Sequence, residues 1–182
     1  EVLVAGNTTG GTNLVVDSGD TLDVNGPLDA NGTIKLDGNY PTGTDNTALG
    51  DEALATVAAD GNYNTAIGND ALKDLTTGDK NTAVGRLAGA NTTTASNNVV
   101  LGADAFFTNT TGGNNTAIGM SALNASTTAS NNTAVGYFSL YANTTGTQNV
   151  AVGRSALQSN TTANENTAVG YSAAGAITTG AR

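Results

Sequence analysis

Apolar and polar positions keep a strict phase along this chain from residue 46 to its end. Eight units begin at Asn46, Asn64, Asn81, Asn98, Asn115, Asn132, Asn149 and Asn166, with one step of 18 residues and then six of 17. With each Asn counted as position 1, position 4 is always aliphatic, as at Val84, Ile118, Val135, Val152 and Val169. Position 5 is always glycine, as at Gly85, Gly119, Gly136, Gly153 and Gly170. Position 8 is Ala, or Ser139 once, and position 9 is Leu in five units, with Gly89, Phe106 and Ala174 as departures. Thr-Thr fills positions 13 and 14 in seven units.

A 17-residue unit is too short for a helical hairpin, and the recurring glycine and Asn/Thr/Gly connectors break any helical period. The spacing predicts an all-β fold: a parallel β-solenoid, or β-roll, of 17-residue coils over residues 46–182. One short strand is expected at positions 1–4 and a second at roughly 6–9, with the glycine at 5 bending the chain between them. Stacked coils place each residue about 4.8 Å from its counterpart, so identical Asn side chains can form a hydrogen-bonded ladder. Strand alternation sets positions 2 and 4 on one face and positions 1 and 3 on the other. One face looks into the coil, and the other is expected to meet a neighbouring chain, most economically in a homotrimer. Position 6, which reads Asp51, Asn69, Arg86, Ala103, Met120, Tyr137, Arg154 and Tyr171, varies as an outward site would.

Residues 1–45 break the pattern and read as an irregular β leader, with short β-like runs separated by Gly-Asn, Ser-Gly, Asn-Gly and Asp-Gly turns. Both ends of the chain look cut, so a segment of something longer is expected. Aromatic residues are only 4%, with one Met and no Trp, Cys or His, so the core must be narrow and built from small aliphatic residues. The formal net charge of −9 is uneven: residues 1–104 carry 14 acids against four bases, and residues 105–182 carry one acid against two. No basic patch exists for phosphates, so nucleic acid is not an expected partner. No run of about 18 apolar residues exists to span a membrane as a helix.

The Asn-Thr-Ala-Val-Gly phrase resembles two groups of fibrous proteins. One is the head of trimeric autotransporter adhesins, whose shorter repeats carry Ser-Val-Ala-Ile-Gly. The other is the tail fibres of bacteriophages and phage-like adhesive fibres of bacteria, matched most directly by Asn132–Tyr137 and Asn166–Tyr171. The resemblance implies a left-handed trimeric β-roll and a place in an extracellular or virion adhesive fibre. The 17-residue period is longer than that of the adhesin heads, which leaves the coil's shape open.

Candidate chemistry is sparse. Without His or Cys, nucleophilic triads cannot be assembled from this chain. Asp51/Glu52 and Asp70/Asp74 are the carboxylate pairs a polysaccharide depolymerase would need, but they occupy variable columns where charge is ordinarily solvated. No enzymatic activity and no cofactor are expected. Asp17, Asp20 and Asp23 have hard oxygen ligands at a spacing that suits Ca²⁺, with acidic turns as the plainer reading. The Thr-Thr columns raise ice binding, but adjacent threonines on a strand send their hydroxyls opposite ways. Asn-x-Thr/Ser sequons occur at Asn7, Asn31, Asn91, Asn109, Asn114, Asn124, Asn131, Asn143 and Asn160, as Asn/Thr richness alone would produce. Tyr137 and Tyr171, with Phe138 and Tyr141, are candidate surface contacts for a host glycan or protein. The sequence therefore predicts a structural shaft segment that presents a binding tip, with direct adhesion through the solenoid surface as the alternative.

Overall fold

The computed structural model describes residues 43–179. The leader, 1–45, with Asp17, Asp20 and Asp23, lies outside the described residues apart from 43–45. Eight three-residue strands stack in chain order: β1 (Thr47–Leu49), β2 (Thr65–Ile67), β3 (Thr82–Val84), β4 (Val99–Leu101), β5 (Thr116–Ile118), β6 (Thr133–Val135), β7 (Val150–Val152) and β8 (Thr167–Val169). They form one parallel sheet in which every strand pairs with its sequence neighbours, position for position, as in Thr116↔Thr133, Ala117↔Ala134 and Ile118↔Val135. The described residues form an all-β parallel solenoid, and its coil length is the 17-residue repeat.

Position 1 faces inward and carries the ladder. Asn115 Nδ2 donates to Ala129 O at 2.9 Å, fourteen residues on in its own coil, and to Asn98 Oδ1 in the coil before at 3.2 Å. Its own Oδ1 accepts the backbone N–H of Asn132 at 2.9 Å and Asn132 Nδ2 at 3.3 Å. The same bonds recur at Asn81, Asn98, Asn132 and Asn149. These amides are fully or almost fully buried, yet both their donors and acceptors are engaged, which is what a polar group in a dry core requires. Position 3 also faces inward, and the Ala side chains from Ala66 to Ala151 are wholly covered.

The glycine at position 5 turns the chain off the sheet with φ between +124° and +137°. A Cβ on Gly119 would lie 2.7 Å from the backbone carbonyl of Gly136 in the next coil. The column therefore needs glycine twice over, for its backbone angle and for the close approach of stacked coils.

The expected second strand at positions 6–9 does not form; these residues are turn. Positions 7 and 9 are left-handed in every coil, for instance Ser121 at φ 55° and Leu123 at φ 51°. A strand would point positions 8 and 9 to opposite faces. The double left-handed turn instead buries both, so Ala122 and Leu123 are each 0% exposed. A left-handed conformation costs a non-glycine residue about 1–2 kcal/mol, and at position 9 burial of a whole Leu side chain, about 1.5–3 kcal/mol, offsets it. Where Gly89 interrupts this column, Leu72 Cδ2 lies only 3.0 Å from where a side chain would begin, and Phe106, next along, is fully buried. At this step a small residue is followed at once by a large one within the same core.

A second alternation runs at position 15, which reads Gly78, Ala95, Gly112, Ala129, Gly146 and Ala163. A Cβ on any of those three glycines would collide with the carbonyl of the alanine one coil on. The glycine coils of this set carry larger residues at position 12, namely Leu75, Asn109 and Asn143. Asn109 exchanges two hydrogen bonds with Gly112, and Asn143 Nδ2 donates to Gly146 O at 2.9 Å. Two of the alanine coils carry the smaller Thr92 and Ser126 instead. Asn160, paired with Ala163, departs from the rule, and its Oδ1 is buried without a hydrogen-bond partner.

Two outcomes follow for stability. Asn115→Ala should destabilise the fold by about 3 kcal/mol or more, because it strands buried groups at Ala129, Asn98 and Asn132 at once; Thr128→Ala, an exposed change in the same coil, should move a denaturant midpoint little. Position 17 is left-handed and exposed, with Gln148 at φ 58° where three other coils place Asn97, Asn114 and Asn131. Gln148→Asn should therefore stabilise by about 0.5 kcal/mol, read as a higher midpoint with unchanged slope.

Candidate functional site

The coil offers three outward features. The first is the open face of the sheet. Positions 2 and 4 of all eight strands point away from the core, and their sixteen side chains are Thr, Val, Ile or Leu without a single charge. The repeat residues Val84, Ile118, Val135 and Val152 are half-buried on this face, while Leu49, Ile67 and Val169 are exposed. The most regular aliphatic column of the sequence thus lies outside the coil, and the interior beside the strand is filled by Asn and Ala. The face is about 10 Å wide and 34 Å long, from three residues at 3.3 Å and seven strand steps at 4.8 Å. An apolar patch of about 340 Å² is comparable to the largest on ordinary monomers, and such patches are often contact sites.

The second feature is the threonine pair. Position 13 is turned partly in, and its hydroxyl donates to the carbonyl of the same position one coil on, as from Thr127 to Thr144 O at 3.2 Å and from Thr144 to Thr161 O at 3.0 Å. Position 14 is exposed in every described coil from Thr77 to Thr179. The two hydroxyls therefore diverge, leaving one outward file in place of a two-rank array.

The third is position 6, just beyond the glycine bend. Arg86 reaches up one coil to Asp104, with Nη2 2.9 Å from both carboxylate oxygens. Four coils beyond Arg86, Arg154 lies between two rings of the same column, its Cζ 5.5 Å from the centroid of Tyr137 and 5.3 Å from that of Tyr171. Phe138 stacks on Tyr137 at 4.1 Å and meets Tyr141 at 4.7 Å. The structure thus brings Tyr137 and Tyr171 together through Arg154, a residue whose part the sequence reading missed. Its signal was present: position 6 reads Tyr, Arg, Tyr over three consecutive coils.

The remaining candidates separate by exposure. Asp51 and Glu52 are exposed, Asp70 and Asp74 are half-buried, and no three acidic side chains among the described residues converge as a metal site would need. Asn109, Asn143 and Asn160 are fully buried, which removes three of the sequons as glycan acceptors, whereas Asn114 and Asn131 are exposed. No helix among the described residues is long and apolar enough to cross a membrane.

Comparison with protein-family models, with curated proteins and with solved structures finds no match to this chain. The outward columns carry the functional argument on their own geometry.

Because, of the threonine pair, it is the position-13 hydroxyl that bonds to the next coil, Thr127→Val and Thr128→Val should differ. The first should lose about 1 kcal/mol of stability and the second almost none, compared by thermal unfolding monitored by circular dichroism.

Proposed function

We propose that the repeat domain is a structural length of an extracellular or virion adhesive fibre, a stiff trimeric rod of left-handed coils that carries a binding tip elsewhere in the full-length protein. The observation that carries this reading is the uncharged open face of the sheet. Its aliphatic column continues without interruption from Leu49 to Val169. A face this narrow gains apolar contact in proportion to its length, which suits a fibre better than a compact partner. Identical copies match it best, because the same period runs along each. Three chains around an axis would bury one sheet face apiece and leave the position-6 and position-14 columns outside. Both the trimer and the left hand of the coil come from the resemblance to trimeric adhesin heads and phage tail fibres.

The rod would resist bending because every coil is tied to the next by backbone bonds at several points around its circumference. Coil five, for example, donates to coil six through the backbone N–H groups of Thr116, Leu123, Ala125 and Thr127, and accepts bonds from those of Gly136, Phe138 and Gln148. Force along the fibre would thus load many bonds in parallel.

Direct adhesion through the surface is a second reading, and the aromatic cluster around Tyr137 is what favours it.

Sedimentation equilibrium of the intact chain should give three times the protomer mass. Val135→Glu together with Ile118→Glu should yield a monomer with the solenoid's circular dichroism retained, because both side chains lie outside the coil. A wild-type monomer, or a trimer indifferent to both charges, would sink the proposal.

A further inference from the structure

We propose that the position-6 column around Arg154 binds an acidic polysaccharide, pairing a sugar carboxylate with the guanidinium and stacking sugar rings on the flanking tyrosines. Arg86 and Arg154 occupy the same position of different coils, and Arg86 is matched by Asp104 at position 7 of the next coil. The residue that corresponds to Asp104 for Arg154 is Ser172. Among the described residues Arg154 has no carboxylate partner. This scaffold thus accommodates a carboxylate against a position-6 arginine, and at Arg154 the chain supplies the cation without the acid.

The cation is also held in place. Arg154 Nη1 donates to the hydroxyl of Tyr171 at 2.9 Å, and rings lie on both sides of the guanidinium. A guanidinium fixed this way loses less freedom on binding than a free one, and its planar fork suits a carboxylate. Tyr171 is 71% exposed and Tyr141 37%, so aromatic surface is open beside the charge. Tyr137 and Tyr171 stand two coils apart, roughly 9.6 Å at the strand spacing, a span that reaches past one sugar ring to the next. Charge across the chain agrees: residues 105–182 carry two bases against one acid, whereas residues 1–104 carry 14 acids against four bases. The acidic excess of residues 1–104 opposes an acidic polymer, and residues 105–182 carry no such excess. A single arginine offers no run of cations for a phosphate backbone, so a sparse carboxylate with a stackable ring is the better match than nucleic acid.

The proposal uses the coil alone and stands whether or not the chain trimerises. Isothermal titration of the intact chain with a short oligogalacturonate tests it, with the methyl-esterified oligomer as the control that keeps the sugar faces and removes the charge. The acidic oligomer should bind and weaken with added salt, and the ester should bind at least tenfold more weakly. Arg154→Gln and Tyr171→Ala should each cost tenfold or more, and Tyr171→Phe, which keeps the ring and loses the hydroxyl, about threefold. Absence of binding at millimolar oligomer, equal binding of the ester, or an Arg154→Gln chain that binds as tightly would overturn it. If a variant fails to fold, the wild-type chain still decides: the Arg154 side-chain and Tyr171 ring NMR resonances should shift on titration, and shifts confined to other coils refute the site. A change in sedimenting mass on Arg154→Gln would likewise refute it, by assigning the cluster to contacts between copies.

Discussion

From Asn81 to Asn149 the amide of the position-1 Asn binds in three directions at once, and the rest of the coil is arranged around that fact. Its nitrogen reaches across its own coil to position 15 and back to the preceding Asn, and its oxygen receives the next coil. Because both ends of the amide are spoken for in a region closed to water, neither the length of the coil nor its register can drift without leaving buried groups unpaired. The one 18-residue unit shows how firmly this holds. Asn46 Nδ2 still clasps a backbone carbonyl, now Gly61 O fifteen residues on, at 2.7 Å. Ala58 N–H still reaches Thr76 O at 2.7 Å in register, so the extra residue is taken up between 58 and 61. An insertion is tolerated in the turn and nowhere that the clasp would feel it.

With register fixed by the ladder, neighbouring columns are selected for fit between successive coils more than within one. Position 5 must be glycine because its stacked counterpart passes within reach of any Cβ. Position 15 meets similar crowding in alternate coils, where a Cβ in place of the glycine would run into the carbonyl of the alanine one coil on. Position 12 follows suit in size. The structural unit at these two columns is a pair of coils, nested inside a 17-residue period that the other columns obey singly.

Much of this was legible in the sequence. A strand within positions 1–4, its parallel register, the Asn ladder and the divergence of the two threonines all follow from period and alternation. The turn at positions 6–9 did not, because left-handed backbone at Leu54, Leu72, Leu123, Leu140 and Leu157 contradicts local preference and is sustained only by burial. Propensity has no knowledge of that compensation. A clue was nonetheless there in the adjacent Ala-Leu of most coils: two neighbouring apolar columns cannot both face inward from one strand. Which side of the sheet faces the core was equally ambiguous, since Asn and Ala look less like an interior than Thr and Val do. Hydrogen bonding decides it, because the in-register amides can satisfy one another while an aliphatic column has no such need.

That inversion, with amides inside and aliphatics outside, bears on what the surface can do. Because amides and alanines fill the interior beside the strand, the aliphatic residues of position 4 remain for contact with another molecule along the sheet. Position 6 lies past the bend, where neither the ladder nor the sheet restricts side-chain type, and there the chain changes chemistry coil by coil on a constant frame. Arg86 with Asp104 and Arg154 with Tyr137 and Tyr171 are two outcomes of one geometry. The first neutralises itself and leaves a closed surface. In the second, rings take the place of the acid, so the charge is positioned and no carboxylate among the described residues cancels it.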